Sequence, residues 1–367
     1  MKRPIIYKTF NRALISLFIF VFPVFSAAQY NEKRIFERTE QVNRETTLEI
    51  NNKYGTIEIT NWNRDEISIK AEIEATASSR EKTGKLIEGI SIDISATKYM
   101  VRVTTGFAKT LNAFLQSFKG MTNKLISYDS KVQINYLIKA PSYLNLKIDN
   151  RYGDIILDEW NANAYISLSN GSFKTKSLSR GSELIMSFAT VFAGRVDECS
   201  IKSSFSEFVI DEAASLRLNS VSSKYDLKEA GIVTVESKRD KFFAGSTGTL
   251  KGNSYFSQFR IDNLLNDIDI TAKYGEMTVS RVSKGFDAIS INAVFNDINL
   301  TFDPSASYSM DVKHMNSFLS LPSENAEIEK RPVNEERKEY ISAGTIGKNP
   351  GTRMVRIYAG RGSIIIR

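Results

Sequence analysis

Two acidic side chains, Glu276 and Asp297, could act as a pair, and the chemistry they would suit is glycoside cleavage. A retaining glycosidase needs two carboxyl groups about 5 Å apart across the bond it breaks. Residues 21 positions apart meet that distance only if they sit on neighbouring strands. The same pair also reads as a solvated surface ladder, or as an incidental contact for a divalent ion. Other chemistries find less support. The sole histidine, His314, excludes cages built from several imidazoles and has no Ser or Cys motif beside it. The sole cysteine, Cys199, cannot form a disulfide within the chain and reads as a small buried hydrophobe. No glycine-rich phosphate loop follows a strand. We therefore expect no catalytic residue, cofactor or metal ligand. Phe192, Phe243 and Tyr358 lean outward and could stack on sugar rings or on a partner, although scattered surface aromatics are also ordinary.

Whether such residues meet depends on a repeat. Its clearest copies are Asn52-Lys53-Tyr54-Gly55-Thr56-Ile57-Glu58-Ile59 and Asn150-Arg151-Tyr152-Gly153-Asp154-Ile155-Ile156-Leu157, with a third around Tyr274-Gly275. With the tyrosine as position zero, further copies align at Asn170, Phe188, Phe205, Ser222, Arg239, Phe256, Phe295, Met315 and Arg361, mostly 17 or 18 residues apart. A fixed period of this length belongs to stacked-coil architectures. Apolar residues recur at −6, −4, +3 and +5, the two-residue period of strands. The inward parity changes across zero, so each coil must bend there. A further apolar column at +8, including Trp62 and Trp160, suggests a second bend.

The expected fold is therefore all-β: a single-chain parallel β-solenoid, or β-helix, with coils of 17–18 residues. One coil cannot bury its own apolar face, whereas stacked coils share a core. Phe208, Tyr225, Phe242 and Phe259 should form an aromatic stack. Ser203, Ser220, Ser237 and Ser254 should form a hydroxyl ladder. Both read first as core filling.

Residues 1–28 read as a secretory signal peptide: a basic start, an apolar run from Ala13 to Phe25, and Ser26-Ala27-Ala28 as a cleavage site. An uncleaved N-terminal anchor is the alternative. Without its four cations the chain keeps 45 Lys and Arg against 42 Asp and Glu, a balance of +3 that argues against nucleic acid as partner. Residues 29–140 hold the first coil and a β-rich capping elaboration, with a short helix expected over Ser79–Glu88. Within it, residues 106–124 read as a basic amphipathic helix whose apolar face carries Phe107, Leu111, Phe114, Leu115 and Phe118. That face could dock on the chain itself, or contact a partner or a membrane. Residues 141–320 hold the regular coils, 321–353 a mixed-charge loop, and 354–367 a closing coil.

The run Leu-x-Ile-x-Asn-x-Tyr-Gly-(Thr/Asp)-Ile, with Trp at +8, is carried by Leu48–Trp62 and Leu146–Trp160. It resembles the "putative adhesin" family of secreted bacterial β-strand-repeat proteins, over roughly residues 45 to 367. The resemblance implies an exported β-solenoid with an adhesin-like role and no catalytic residues. It implies a location in the periplasm, at the outer membrane or outside the cell. The middle coils depart from the motif, since Tyr-Gly is lost at Phe188, Ser222 and Arg239. The function expected is non-enzymatic binding or scaffolding, toward a cell-surface polymer, an envelope protein or a membrane surface. The alternatives are a β-helix carbohydrate-active enzyme using Glu276 and Asp297, or a structural polymer stacked end to end.

Overall fold

The computed structural model describes residues 29–109 and 130–367. The signal-like residues 1–28 and most of the expected helical insert, including Leu111, Phe114, Leu115 and Phe118, lie outside the described residues. The described chain is almost entirely strand, with one short helix, Arg80–Glu88. That helix starts where expected. The Ser79 side chain accepts from the Lys82 amide, and Leu86 and Ile87 are buried beneath it.

The strands form one hydrogen-bonded sheet whose long middle part is parallel. Residues one period apart lie side by side: Phe208 beside Tyr225, Tyr225 beside Phe242, and Phe242 beside Phe259. Their rings stack at 4.7, 4.9 and 4.7 Å, tilted by no more than 10°. All four are buried, as are the four serines of the hydroxyl ladder. Inward columns exclude water, so each must be apolar or fully hydrogen-bonded.

The bend at zero has a definite backbone form. Each zero residue from Tyr54 to Phe295, and Arg361, has a positive φ, between 50° at Phe205 and 69° at Tyr54. One left-handed residue turns the strand and exchanges its inward and outward faces, which is the parity change read from the sequence. One zero position needs correcting. The bend falls at Asn316 (φ 51°), not at Met315, which pairs instead with Gly360. Asparagine tolerates this conformation better than methionine. The slip moves the inward +3 position to Leu319, which aligns with Ile364, and leaves Phe318 63% exposed.

The glycines after the bend are not themselves the bend. Gly55, Gly153 and Gly171 do not themselves have positive φ. A β-carbon on Gly153 would lie 1.9 Å from the Gly55 carbonyl oxygen, and one on Gly171 would lie 2.0 Å from that of Gly153. These residues are small because the next backbone passes through the space a side chain would take.

The two ends depart from simple stacking, and the sheet is mixed rather than wholly parallel. Met100–Phe107 pairs with Thr47–Lys53 and Ser130–Ala140 with Ile57–Asn61, so a later segment forms a layer outside the first coil. Gly106 and Phe107 therefore belong to a strand and not to a helix. Phe107 packs edge-on against Tyr54 at 5.9 Å. Tyr30–Gln41 and Glu66–Ala77 add antiparallel strands beyond that layer. At the other end, Met354–Gly360 lies between Ala288–Phe302 and Tyr308–Met315, so the expected closing coil sits one layer inside the end. The expected loop 321–353 contains a hairpin, Ala326–Asn334 with Glu339–Ile346, laid antiparallel on Tyr308–Met315. Its alternating charges suit a strand with one face in water, and it covers an edge that would otherwise present unpaired amides.

Candidate functional site

The bends line up along one corner of the stack, and their side chains form a ridge. A left-handed residue turns its side chain off the strand face, so the aromatic zero residues from Phe188 to Phe295 emerge, whereas Tyr54 at the N-terminal end stays buried. Phe188, Phe205, Phe256, Tyr274 and Phe295 are all exposed, Phe188 by 58% and Phe205 by 56%. Their rings stack in short runs. Phe188 and Phe205 lie 5.1 Å apart at 6°, Phe256 and Tyr274 4.9 Å apart at 10°, and Tyr274 and Phe295 5.1 Å apart at 14°. The Arg361 guanidinium covers Phe295 at 4.8 Å. Toward the N-terminal end Tyr54 stacks on Tyr152 at 5.4 Å, with the Lys53 ammonium 4.5 Å over the Tyr54 ring. Burial, then the neighbouring Tyr152 hydroxyl, pushes the Tyr54 hydroxyl up to about 12. Burial lowers the Lys53 ammonium against the opposing pull of Tyr152.

Beneath the ridge a buried polar seam holds the bends in place. At Ser206, Asp240 and Ser257 the +1 side chain accepts the amide of the equivalent residue one coil earlier. Ser206 Oγ takes the Ala189 amide (3.1 Å), Asp240 Oδ1 the Ser223 amide (2.7 Å) and Ser257 Oγ the Asp240 amide (3.2 Å). The other Asp240 oxygen accepts from Ser220 Oγ and Ser237 Oγ, both at 2.6 Å, and from the Lys238 amide at 3.1 Å. Ser203 Oγ and the Tyr225 hydroxyl are 2.7 Å apart. The seam anchors the strand on both sides of each exposed ring.

The ridge is interrupted twice. Asn170 separates Tyr152 from Phe188, and Ser222 with Arg239 separates Phe205 from Phe256. Rings inside a run show solvent only their edges, whereas the rings at an interruption offer an open face. The second interruption is basic. Lys224, Lys238, Arg239 and Lys241 are all exposed around it. Glu207 lies beside Lys224 at its margin, and Asp240 is buried below.

The side chains singled out from the sequence are distributed differently. Phe192 and Tyr358 are exposed and Phe243 is half-buried; Phe192 and Phe243 share one outward column, three strands apart through Val209 and Asp226, whereas Tyr358 lies in another beside Asn292 and Lys313. Phe192 lines a shallow groove with Ile156, Lys174, Gly194 and Val209. Glu276 and Asp297 are brought side by side, as stacking required. Asp297 Oδ1, however, already accepts from the Ser363 amide (2.9 Å) and hydroxyl (2.6 Å), so it staples the last coil in place. His314 is buried against Tyr340, and neither of its ring nitrogens has a hydrogen-bond partner. Cys199 is buried, which pushes its thiol up to about 12. Sequence reasoning missed the ridge. The signal was present in the zero column itself, where aromatic residues recur at a bend that would suit asparagine or glycine.

No family model matches the chain, and no curated protein does. Solved structures do resemble it. One is a "putative cell adhesion protein" from Clostridium sporogenes, 10% identical, covering 91% of this chain and 99% of its own, with a TM-score of 0.19. A "putative adhesin" from Parabacteroides distasonis is 11% identical over 73% of this chain and 97% of its own, at 0.35. A "putative lipid binding protein" from the same organism is 12% identical over 72% and 96%, at 0.33. The adhesin descriptions agree with the family whose repeat the sequence resembles. Likeness at these scores carries no argument about function.

Proposed function

We propose that the chain is an exported parallel β-solenoid that binds a cell-surface polymer through its corner ridge, an adhesin-like role without catalysis. The observation that carries this reading is the row of exposed aromatic rings held in left-handed backbone. That conformation costs a residue with a β-carbon about 1–2 kcal/mol, and glycine would avoid the cost. Exposed rings recover little of it by burial. Rings spaced one coil apart, with open faces where the row breaks, suit stacking against a chain of sugar rings. Residues 1–28 would direct export, and the expected face of Leu111, Phe114, Leu115 and Phe118, without Phe107, would be an accessory contact.

The test is a binding screen of the mature chain against purified envelope polysaccharides. Phe188→Asn and Tyr274→Asn, which keep the bend but remove the rings, should lower affinity for whichever polymer binds. Unchanged affinity in both variants would refute the ridge as binding surface. Release of reducing sugar ends from a bound polymer, abolished by Glu276→Gln, would replace this reading with the enzymatic one.

A further inference from the structure

From the basic interruption of the ridge, we infer that the corner around Ser222 and Arg239 is a subsite for an acidic polysaccharide, one whose sugar rings carry carboxylate groups. The inference rests on the ridge being the binding face and adds the chemical class of the ligand.

Three observations converge on the site. The first is room. Phe205 stacks on Phe188 on one side only, and Ser222 on its other side is too short to cover the ring. The positions of Phe205 and Arg239 lie two strand spacings apart, about 10 Å. A ring in van der Waals contact on both faces needs about 7–8 Å. One sugar ring therefore fits between the open face of Phe205 and the Arg239 side chain, above Ser222. Phe256 offers a second open face beyond Arg239, because it stacks only on Tyr274.

The second observation is charge. Arg239 is exposed, occupies left-handed backbone at 60°, and makes no ion pair or ring contact among the described residues. Lys224 and Lys241, two positions beyond the bends at Ser222 and Arg239, are paired neighbours on adjacent strands. Two like charges side by side on a sheet are unfavourable unless an anion joins them. Lys224 has Glu207 as its neighbour on the other strand and lies over the Phe243 ring at 5.8 Å, whereas Lys241, Lys238 and Arg239 form no ion pair among the described residues. Asp240 does not neutralise the group, because its carboxylate is buried and turned inward onto Ser220, Ser237 and two amides.

The third is contrast. At the other interruption, around Asn170, Arg151 is paired with Asp149, and Asp154 is occupied by Ser172. That gap spans one bend fewer between its rings, and its charges are balanced. The basic gap is thus a local feature of one corner, not a property of every break in the ridge. A membrane would need a broad apolar face around the cations, and this site is a narrow slot on a ridge.

The mature chain is titrated with polygalacturonate, with the same polymer methyl-esterified to remove its charge, and with phosphatidylglycerol vesicles. The expected result is saturable binding to polygalacturonate that weakens on esterification and as salt rises. Arg239→Asn, which suits the left-handed bend, should weaken that binding by about tenfold or more, the value of a charge-assisted contact. Arg217→Gln removes one charge from the same coil away from the corner and should change little. Equal affinity for the esterified polymer, no loss in Arg239→Asn, or equal losses in the two variants would overturn the subsite. Vesicle binding with the same dependence on Arg239 would overturn it in favour of a membrane surface. If Phe188→Asn and Tyr274→Asn abolish glycan binding while Arg239→Asn does not, the ridge stands and the subsite fails. If all three bind normally, both fail.

Discussion

Replacing Phe205 with asparagine separates a ring kept for packing from one kept for binding. The ring is 56% exposed and has one stacking partner, Phe188, at 5.1 Å. Removing it forfeits that pair, worth about 0.5–1.5 kcal/mol. Asparagine bears left-handed backbone more easily than phenylalanine, which returns part of a cost of about 1–2 kcal/mol. The two terms nearly cancel, so stability should change by less than about 1 kcal/mol. The assay is urea denaturation followed by circular dichroism, with the transition midpoint and slope compared with wild type. Tyr225→Ala is the internal reference. Its ring is fully buried between Phe208 and Phe242 and its hydroxyl meets Ser203, so it should lose about 3–5 kcal/mol. A loss above about 3 kcal/mol in Phe205→Asn would show that the ridge is structural and refute the reasoning from exposure.

Phe242→Ala leaves a void between Tyr225 and Phe259 and should cost about 3–5 kcal/mol in the same assay. Asp240→Ala strips the acceptor from Ser220, Ser237 and the Ser223 and Lys238 amides, and should lower the melting temperature more than Asp226→Ala, an exposed carboxylate on the preceding coil. His314 supplies a pH test. Burial, then the nearby Lys330, lowers its pKa below the ordinary 6.5, so the unfolded chain binds the proton more readily. Its contribution is full above 6.5 and is lost as pH falls below it, and His314→Phe should flatten stability between pH 7.5 and pH 5.5. Equal acid sensitivity in the variant would assign the effect elsewhere. Gly153→Ala forces a β-carbon against the Gly55 carbonyl and should give less folded protein than Gly285→Ala, where the space is open.

The repeat was legible because it recurs. Eleven of the twelve bends could be placed from aligned apolar columns, and the aromatic stack from Phe208 to Phe259 followed from spacing alone. The twelfth slipped by one residue because Met315 and Phe318 fit the apolar columns, while Asn316 is the residue whose backbone suits the bend. Layer order at the ends was not legible. An apolar strand such as Met354–Gly360 fits any parallel neighbour, and nothing in its own residues says that it enters between Ala288–Phe302 and Tyr308–Met315. The charged segment after Leu321 reads as a loop by its polarity, but it is a hairpin, because alternating charge also suits a strand with one face in water. The ridge was missed because phenylalanine in strand-rich sequence suggests the core. The recurrence of Phe188, Phe205 and Phe256 at the bend column is the sequence signal, and their left-handed backbone is what turns them outward.

The central claim is that residues one period apart lie on neighbouring strands in register. Val209 and Asp226 are paired neighbours with outward side chains, whereas Val209 and Glu229 are displaced by three further positions. In a Cys199→Ala background, Val209→Cys with Asp226→Cys should oxidise to an intramolecular disulfide, because adjacent strands place Cα atoms about 5 Å apart, within disulfide reach. Val209→Cys with Glu229→Cys should not. Cross-linking of the second pair in preference to the first would contradict the register, and with it the ridge and everything assigned to it.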